Sequence, residues 1–192
     1  GYNNDDLKAL IAAVDFISLH TYPFHDTYYD EEFWLVPSAE ADLTVKQKVD
    51  AAMIRAKSVA LKQTANAQAY MLALGIEKQI HIGETGWASV ANVNYGDAGS
   101  KAANEYKQKA FSDATRTWSN AFGASLFLFQ AFDEPWKGDA DNAGDSEKHF
   151  GLLDINGNAK YVAWDMVDKL NNAGLTRGEV TTFTKSFGGD MD

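Results

Sequence analysis

The chain has 192 residues, 45% hydrophobic and 23% charged, which supplies one sizeable core and excludes an intrinsically disordered chain; at most one domain is expected. Acidic residues outnumber basic ones 27 to 17, a formal net charge of -10, so the cationic footprint needed for nucleic acid or an anionic lipid surface is missing. With no cysteine, disulfides, thiolate metal sites and cysteine nucleophiles are excluded, and no apolar run approaches the roughly 20 residues of a membrane span.

Residues 5–13 (DDLKALIAA) space Leu7, Leu10 and Ile11 at helical intervals, and residues 14–22 (VDFISLHTY) switch to a period of two, so a helix feeds a strand. Ile17 and Leu19 share one face of that strand. Phe16, Ser18, His20 and Tyr22 share the other, which turns polar towards its C-terminal end and suits a ligand. Pro23 stops the strand, and residues 24–42, aromatic and acidic without a clean period, read as a long ordered loop. Thr44 and Gln47 have capping-box spacing, and an apolar stripe from Val45 to Leu74 predicts one long helix, or two end to end, closed by Gly75.

Residues 79–83 (QIHIG) form a second expected strand, ending at Glu84. A helical stripe follows from Ser100 to Phe122, closed by Gly123. Residues 125–132 (SLFLFQAF) are apolar almost throughout, as in a parallel strand covered on both faces. A loop at 133–149, a turn at Asn156 and Gly157, and a helix from Lys160 to about Asn172 complete the order, and residues 175–192 form a polar tail or linker.

This alternation is that of an α/β fold built from βα units. Its strands end in His20 and Tyr22, in Glu84, and in Asp133 and Glu134, and in barrels of this kind the C-terminal strand ends carry the chemistry. Glu84 is the sharpest candidate. Gly83 and Gly86 leave room beside it, and Trp87 offers an aromatic face that could stack on a sugar ring. The alternative is an acidic residue capping the next element next to a core tryptophan.

Residues 81–89 (HIGETGWAS) resemble the nucleophile signature of glycoside hydrolase family 17, the β-1,3-glucanases and related glucanosyltransferases. Residues 129–137 (FQAFDEPWK), 147–152 (EKHFGL) and 15–24 (DFISLHTYPF) are similar to three further signatures of that family. The resemblance implies a partial (β/α)8 TIM barrel, roughly strands six to eight, with residues 1–174 as its C-terminal half. It implies Glu84 as catalytic nucleophile and places Tyr22, Trp87, Phe132, Glu134, Lys137 and Glu147 around a β-glucan. It implies no cofactor and no metal, and a secreted, periplasmic or cell-wall location. Ala88 stands in place of the signature's usual proline, and Gln130 where many microbial members carry glutamate.

A retaining glycosidase needs a second carboxyl to protonate the leaving oxygen. In the family that glutamate lies in an Asn-Glu pair upstream of every motif found here, and Asn104-Glu105, the one such pair in the chain, falls on the helix after Glu84. A whole barrel also needs about 200 residues or more. The expectation is therefore a fragment, a processed piece or one of two chains, whose barrel an N-terminal half or second chain completes. Three outcomes stay open: a β-1,3-glucan hydrolase, a glucanosyltransferase, and a catalytically incomplete glucan-binding half-barrel.

Weaker patterns complete the reading. Asp139, Asp141, Asn142, Asp145 and Glu147 are rich in oxygen, but the EF-hand pattern fails at Ala143 and Phe150, so a solvated acidic loop is expected. Tyr28, Tyr29, Phe33 and Trp34 are read as a sugar-stacking wall, with sealing of the loop as the alternative. No glycine-rich phosphate loop follows any strand, which argues against nucleotide binding.

Overall fold

The computed structural model describes residues 4–92, 101–174 and 184–186. Helix α1 (Asp5–Ala13) leads into strand β1 (Phe16–His20). The expected loop after it is broken into helical turns: α2 (Pro23–Thr27), α3 (Glu31–Trp34) and a 3-10 turn at Ser38–Glu40. Proline at the first position of α2 and Asp30 capping α3 explain why these turns form, and segments of 3 to 5 residues are too short to show a helical period in sequence.

Helix α4 (Val45–Ala73) is one uninterrupted helix, opened by the Thr44–Gln47 capping box and followed by Gly75 in the left-handed region. It leads to β2 (Gln79–Thr85), then α5 (Glu105–Phe122), β3 (Leu126–Leu128) and, after a long irregular segment, α6 (Trp164–Asn172). Ser100, where the second long helix was expected to start, lies outside the described residues. The observed helix is capped by Asn104 and closed by Gly123 at φ 79°.

The three strands form one parallel sheet in the order β1-β2-β3, so β2 is central. Parallel neighbours need long crossovers, and α4 and α5 supply them. Ile80 and Ile82 are buried against Ile11 and Met71, with Ile17, Leu19, Trp118 and Leu126 packed on the same cluster, so one face of the sheet meets the helices. A second core holds Phe24, Trp34, Met53, Trp87, Phe111 and Phe150 and lies where the segments after β1 and β2 meet α4 and α5.

The other face of the sheet is open. Phe16 is 52% and Phe127 63% exposed. The strand β3 was expected to be covered on both sides and to run over 125–132; it is three residues long and covered on one side. Of the expected tail, residues 184–186 are described: the Ala159 amide donates to the Thr184 carbonyl and the Ser186 amide to the Ala159 carbonyl. The rest of 175–192 lies outside the described residues. Among the described residues no helix is long and apolar enough to cross a membrane.

Candidate active site

The central strand delivers Glu84 at its C-terminal end. His20 pairs with it across the sheet after a register shift between Leu19 and His20. That shift brings two side chains of the β1 segment onto one carboxylate oxygen: Tyr22 Oη donates to Glu84 Oε2 at 3.0 Å, and His20 Nδ1 lies 3.4 Å from the same atom. Oε1 carries no hydrogen bond among the described residues, and the side chain of Glu84 is 43% exposed. Burial, then the hydrogen bond to Glu84 and the charges of Glu84 and Glu147, hold the Tyr22 phenol well above its ordinary pKa, so it remains a donor at any working pH.

Glu84 opens into a cavity of about 320 Å3 lined by Tyr22, His25, Phe129, Lys137, Glu147 and Phe150, at the small end of the range found for ligand pockets. Gly86 makes this closure possible, because a Cβ there would stand 2.3 Å from the Phe129 carbonyl oxygen. Lys137 enters after β3, with Nζ 2.6 Å from Glu134 Oε2 and 4.2 Å from the centre of the Phe129 ring. The adjoining Lys137 ammonium holds the Glu134 carboxyl below its usual range.

Glu147 reaches the cavity from a loop held by Lys148. The Lys148 ammonium is buried and donates to the Asp139 carbonyl at 2.6 Å and the Asn142 carbonyl at 2.9 Å. Asp145 closes the loop by accepting from the Asp139 and Glu147 amides at 2.8 and 3.0 Å. The acidic stretch is thus organised around an internal cation. Among the described residues no three His, Asp or Glu side chains are grouped to hold a metal ion.

Beneath the loop, Lys160 Nζ lies 2.6 Å from Asp133 Oδ1, 2.8 Å from Ser89 Oγ and 3.2 Å from the His149 carbonyl oxygen. Asp133 also accepts from the Gly151 amide at 2.9 Å and faces His149 Nδ1 at 3.7 Å. Burial pushes Lys160 down. Burial works to raise Asp133, but the His149 contact, Lys160 and the Gly151 amide together keep it below its ordinary value. This network ties the end of the β2 segment to the loop that carries Glu147.

The profile of glycosyl hydrolases family 17 matches residues 52–163, which cover Glu84, Lys137 and Glu147. The chain belongs to that family. This family 17 chain is 36% identical over 99 residues to a glucan 1,3-beta-glucosidase of Arthroderma benhamiae, a match covering 50% of the chain and 31% of the relative. It is 37% identical over 82 residues to a glucan 1,3-beta-glucosidase of Schizosaccharomyces pombe, covering 42% of the chain and 23% of the relative. Among solved structures it is similar to an endo-laminarinase from Formosa Hel1_33_131, at 51% identity and a TM-score of 0.86, covering 98% of the chain and 48% of that protein. The matches therefore span less than a third of these curated relatives and about half of that solved structure.

Of the residues that the motifs singled out, the structure gathers Tyr22, Glu84, Lys137 and Glu147 in the cavity, with Glu134 behind Lys137. Glu134 holds Lys137, whereas Glu147 faces His25 at 3.2 Å. Trp87 needs correction: it is 1% exposed, packs on Phe24, Trp34 and Phe111, and donates from Nε1 to the Ala102 carbonyl, so its faces meet protein. Phe132 is exposed but is not part of the cavity lining. Tyr28 stacks on Phe24, and Trp34 is buried with Nε1 donating to the Thr27 carbonyl, so these two rings of the expected wall seal the segment to the core.

Asn104 and Glu105 are structural. Asn104 accepts from the Lys107 amide as the cap of α5, and Glu105 accepts from the Tyr161 amide and Ser186 Oγ. His20, one of the residues expected at a strand end, joins the site, and so does His25, which lies just outside the family motifs. The signal for His20 was present, since it shares a strand face with Tyr22 in a period-of-two segment.

Proposed function

We propose that this chain is the nucleophile-bearing portion of a retaining β-1,3-glucan hydrolase. The reading is carried by one observation: Glu84 presents Oε1 without a partner to the cavity, while Tyr22 and His20 hold Oε2. A nucleophile oriented through one oxygen keeps the other lone pairs free for attack. Oε1 attacks the anomeric carbon, the glycosidic bond breaks as an acid protonates the leaving oxygen, and water resolves the glycosyl-enzyme with the same acid now acting as base. Lys137 lines the same cavity as Glu84, with its ammonium held against Glu134.

The acid and base belong to a part of the barrel outside this chain. The exposed Phe16 and Phe127 support that half-barrel reading, because they stand on the sheet face that would line a closed barrel. Names of the relatives support the substrate: two glucan 1,3-beta-glucosidases and an endo-laminarinase.

A laminaribiosyl fluoride carrying fluorine at C2 tests the role. Fluoride leaves without protonation, so the 192-residue chain alone should become covalently labelled even without its acid partner. Peptide mass mapping should find the label on Glu84, and Glu84→Gln should abolish it. Label on another carboxylate with Glu84 unmodified would refute the assignment.

A further inference from the structure

The cavity contains one titratable side chain that the nucleophile argument does not use. His25 sits in the first turn of α2, next to the fully buried Phe24. Its ring centre lies 5.3 Å from those of both Tyr22 and Phe150, 5.6 Å from that of Phe24 and 6.3 Å from that of Tyr28, so four aromatic rings surround the imidazole. Nε2 lies 3.2 Å from Glu147 Oε1, yet 37% of the His25 side chain and 40% of that of Glu147 remain accessible. His25 Nδ1 and Glu147 Oε2 have no hydrogen-bond partner among the described residues.

A histidine–carboxylate contact this accessible contributes little stability, about 0–1 kcal/mol, so holding the fold is a poor account of it. What the pair does present, on the wall shared with Glu84 and Lys137, is an N–H donor beside a carboxylate acceptor. A sugar hydroxyl both accepts and donates, and satisfies such a pair with one oxygen. Asp26, the next residue, is turned away and accepts from Gln63 Nε2 at 2.6 Å, which leaves Glu147, Glu84 and Lys137 as the charged groups around the imidazole.

We propose that His25 is a further sugar-binding residue of this site, acting with Glu147 on a hydroxyl of the glucosyl unit bound beside Glu84. The proposal rests on the glucan reading. It is tested by calorimetric titration of laminarihexaose into the 192-residue chain carrying Glu84→Gln, so that no turnover intervenes, with His25→Phe or His25→Gln added. Phenylalanine keeps the ring packing and removes the nitrogens, whereas glutamine restores a donor.

Loss of one hydrogen bond predicts roughly tenfold weaker binding with His25→Phe, and His25→Gln should return within roughly threefold of the parent, with melting temperatures unchanged. Equal affinity of the His25→Phe chain and the parent overturns the proposal while leaving the glucan reading intact, as does an affinity loss matched by a loss of thermal stability. Absence of any laminarihexaose binding by the parent overturns both.

Discussion

Replacing Lys160 by methionine keeps the aliphatic stem and removes a charge that is 4% exposed, leaving the Asp133 carboxylate, itself 10% exposed, without its cation. The ammonium contacts Asp133 Oδ1, Ser89 Oγ and the His149 carbonyl, so three oxygens lose a donor and one of them is ionised. Removing one partner of a buried pair costs about 3–5 kcal/mol, and for a chain of this size about 2–4 °C accompanies each kcal/mol, so a fall in melting temperature of roughly 6–20 °C is expected. Circular dichroism of wild type and Lys160→Met, both at pH 7, measures it. Adding Asp133→Asn should recover a large part of the loss, because the uncompensated charge then disappears. A shift below about 3 °C for Lys160→Met, or no recovery in the double variant, would show that water reaches Asp133 and that the network does not hold the loop.

Three further outcomes follow from the same geometry. Tyr22→Phe removes one hydrogen bond to an ionised carboxylate while keeping its packing on Phe129 and Phe150; in a complete enzyme kcat/KM on laminarin should fall by about 10- to 100-fold without loss of thermal stability, and unchanged kinetics would reject the orienting role. The His149 imidazole is raised above 6.5, first by its contact with Asp133, against the opposing effect of burial, and further by the Ala143 carbonyl. Its stabilising contribution is thus full below about pH 6.5 and is lost as pH climbs through the higher folded-state value; melting curves from pH 5.5 to 8.5 should show this decline, and His149→Gln should flatten it. Trp87→Ala should cost about 3–5 kcal/mol in urea denaturation, as for any large core truncation, and intact stability with weakened laminarin binding would return Trp87 to the sugar surface.

Features set by short-range chemistry were legible in the sequence. The Thr44–Gln47 box and the glycines at 75 and 123 mark helix ends through contacts within a few residues, and both long helices end where these signals stand. Strand faces were equally readable: the period of two that separates Ile17 and Leu19 from Phe16, Ser18 and His20 survives in the sheet. What could not be read depends on who arrives from afar. Trp87 follows Glu84 closely in a motif, but its environment is set by Phe24, Trp34 and Phe111 from three other segments. The short helices after β1 carry no period, so neither the position of His25 nor its meeting with Glu147 is encoded in any local pattern.

The loop that carries Glu147 has one property a bound ion would not give it. Its organising cation is a side chain, Lys148, whose ammonium reaches two carbonyls of its own loop. The charge cannot dissociate into solvent, be removed by a chelator or be replaced by a competing ion. Occupancy of that position is therefore independent of the mineral composition of the medium, and Glu147 stays in place in soft or hard water alike.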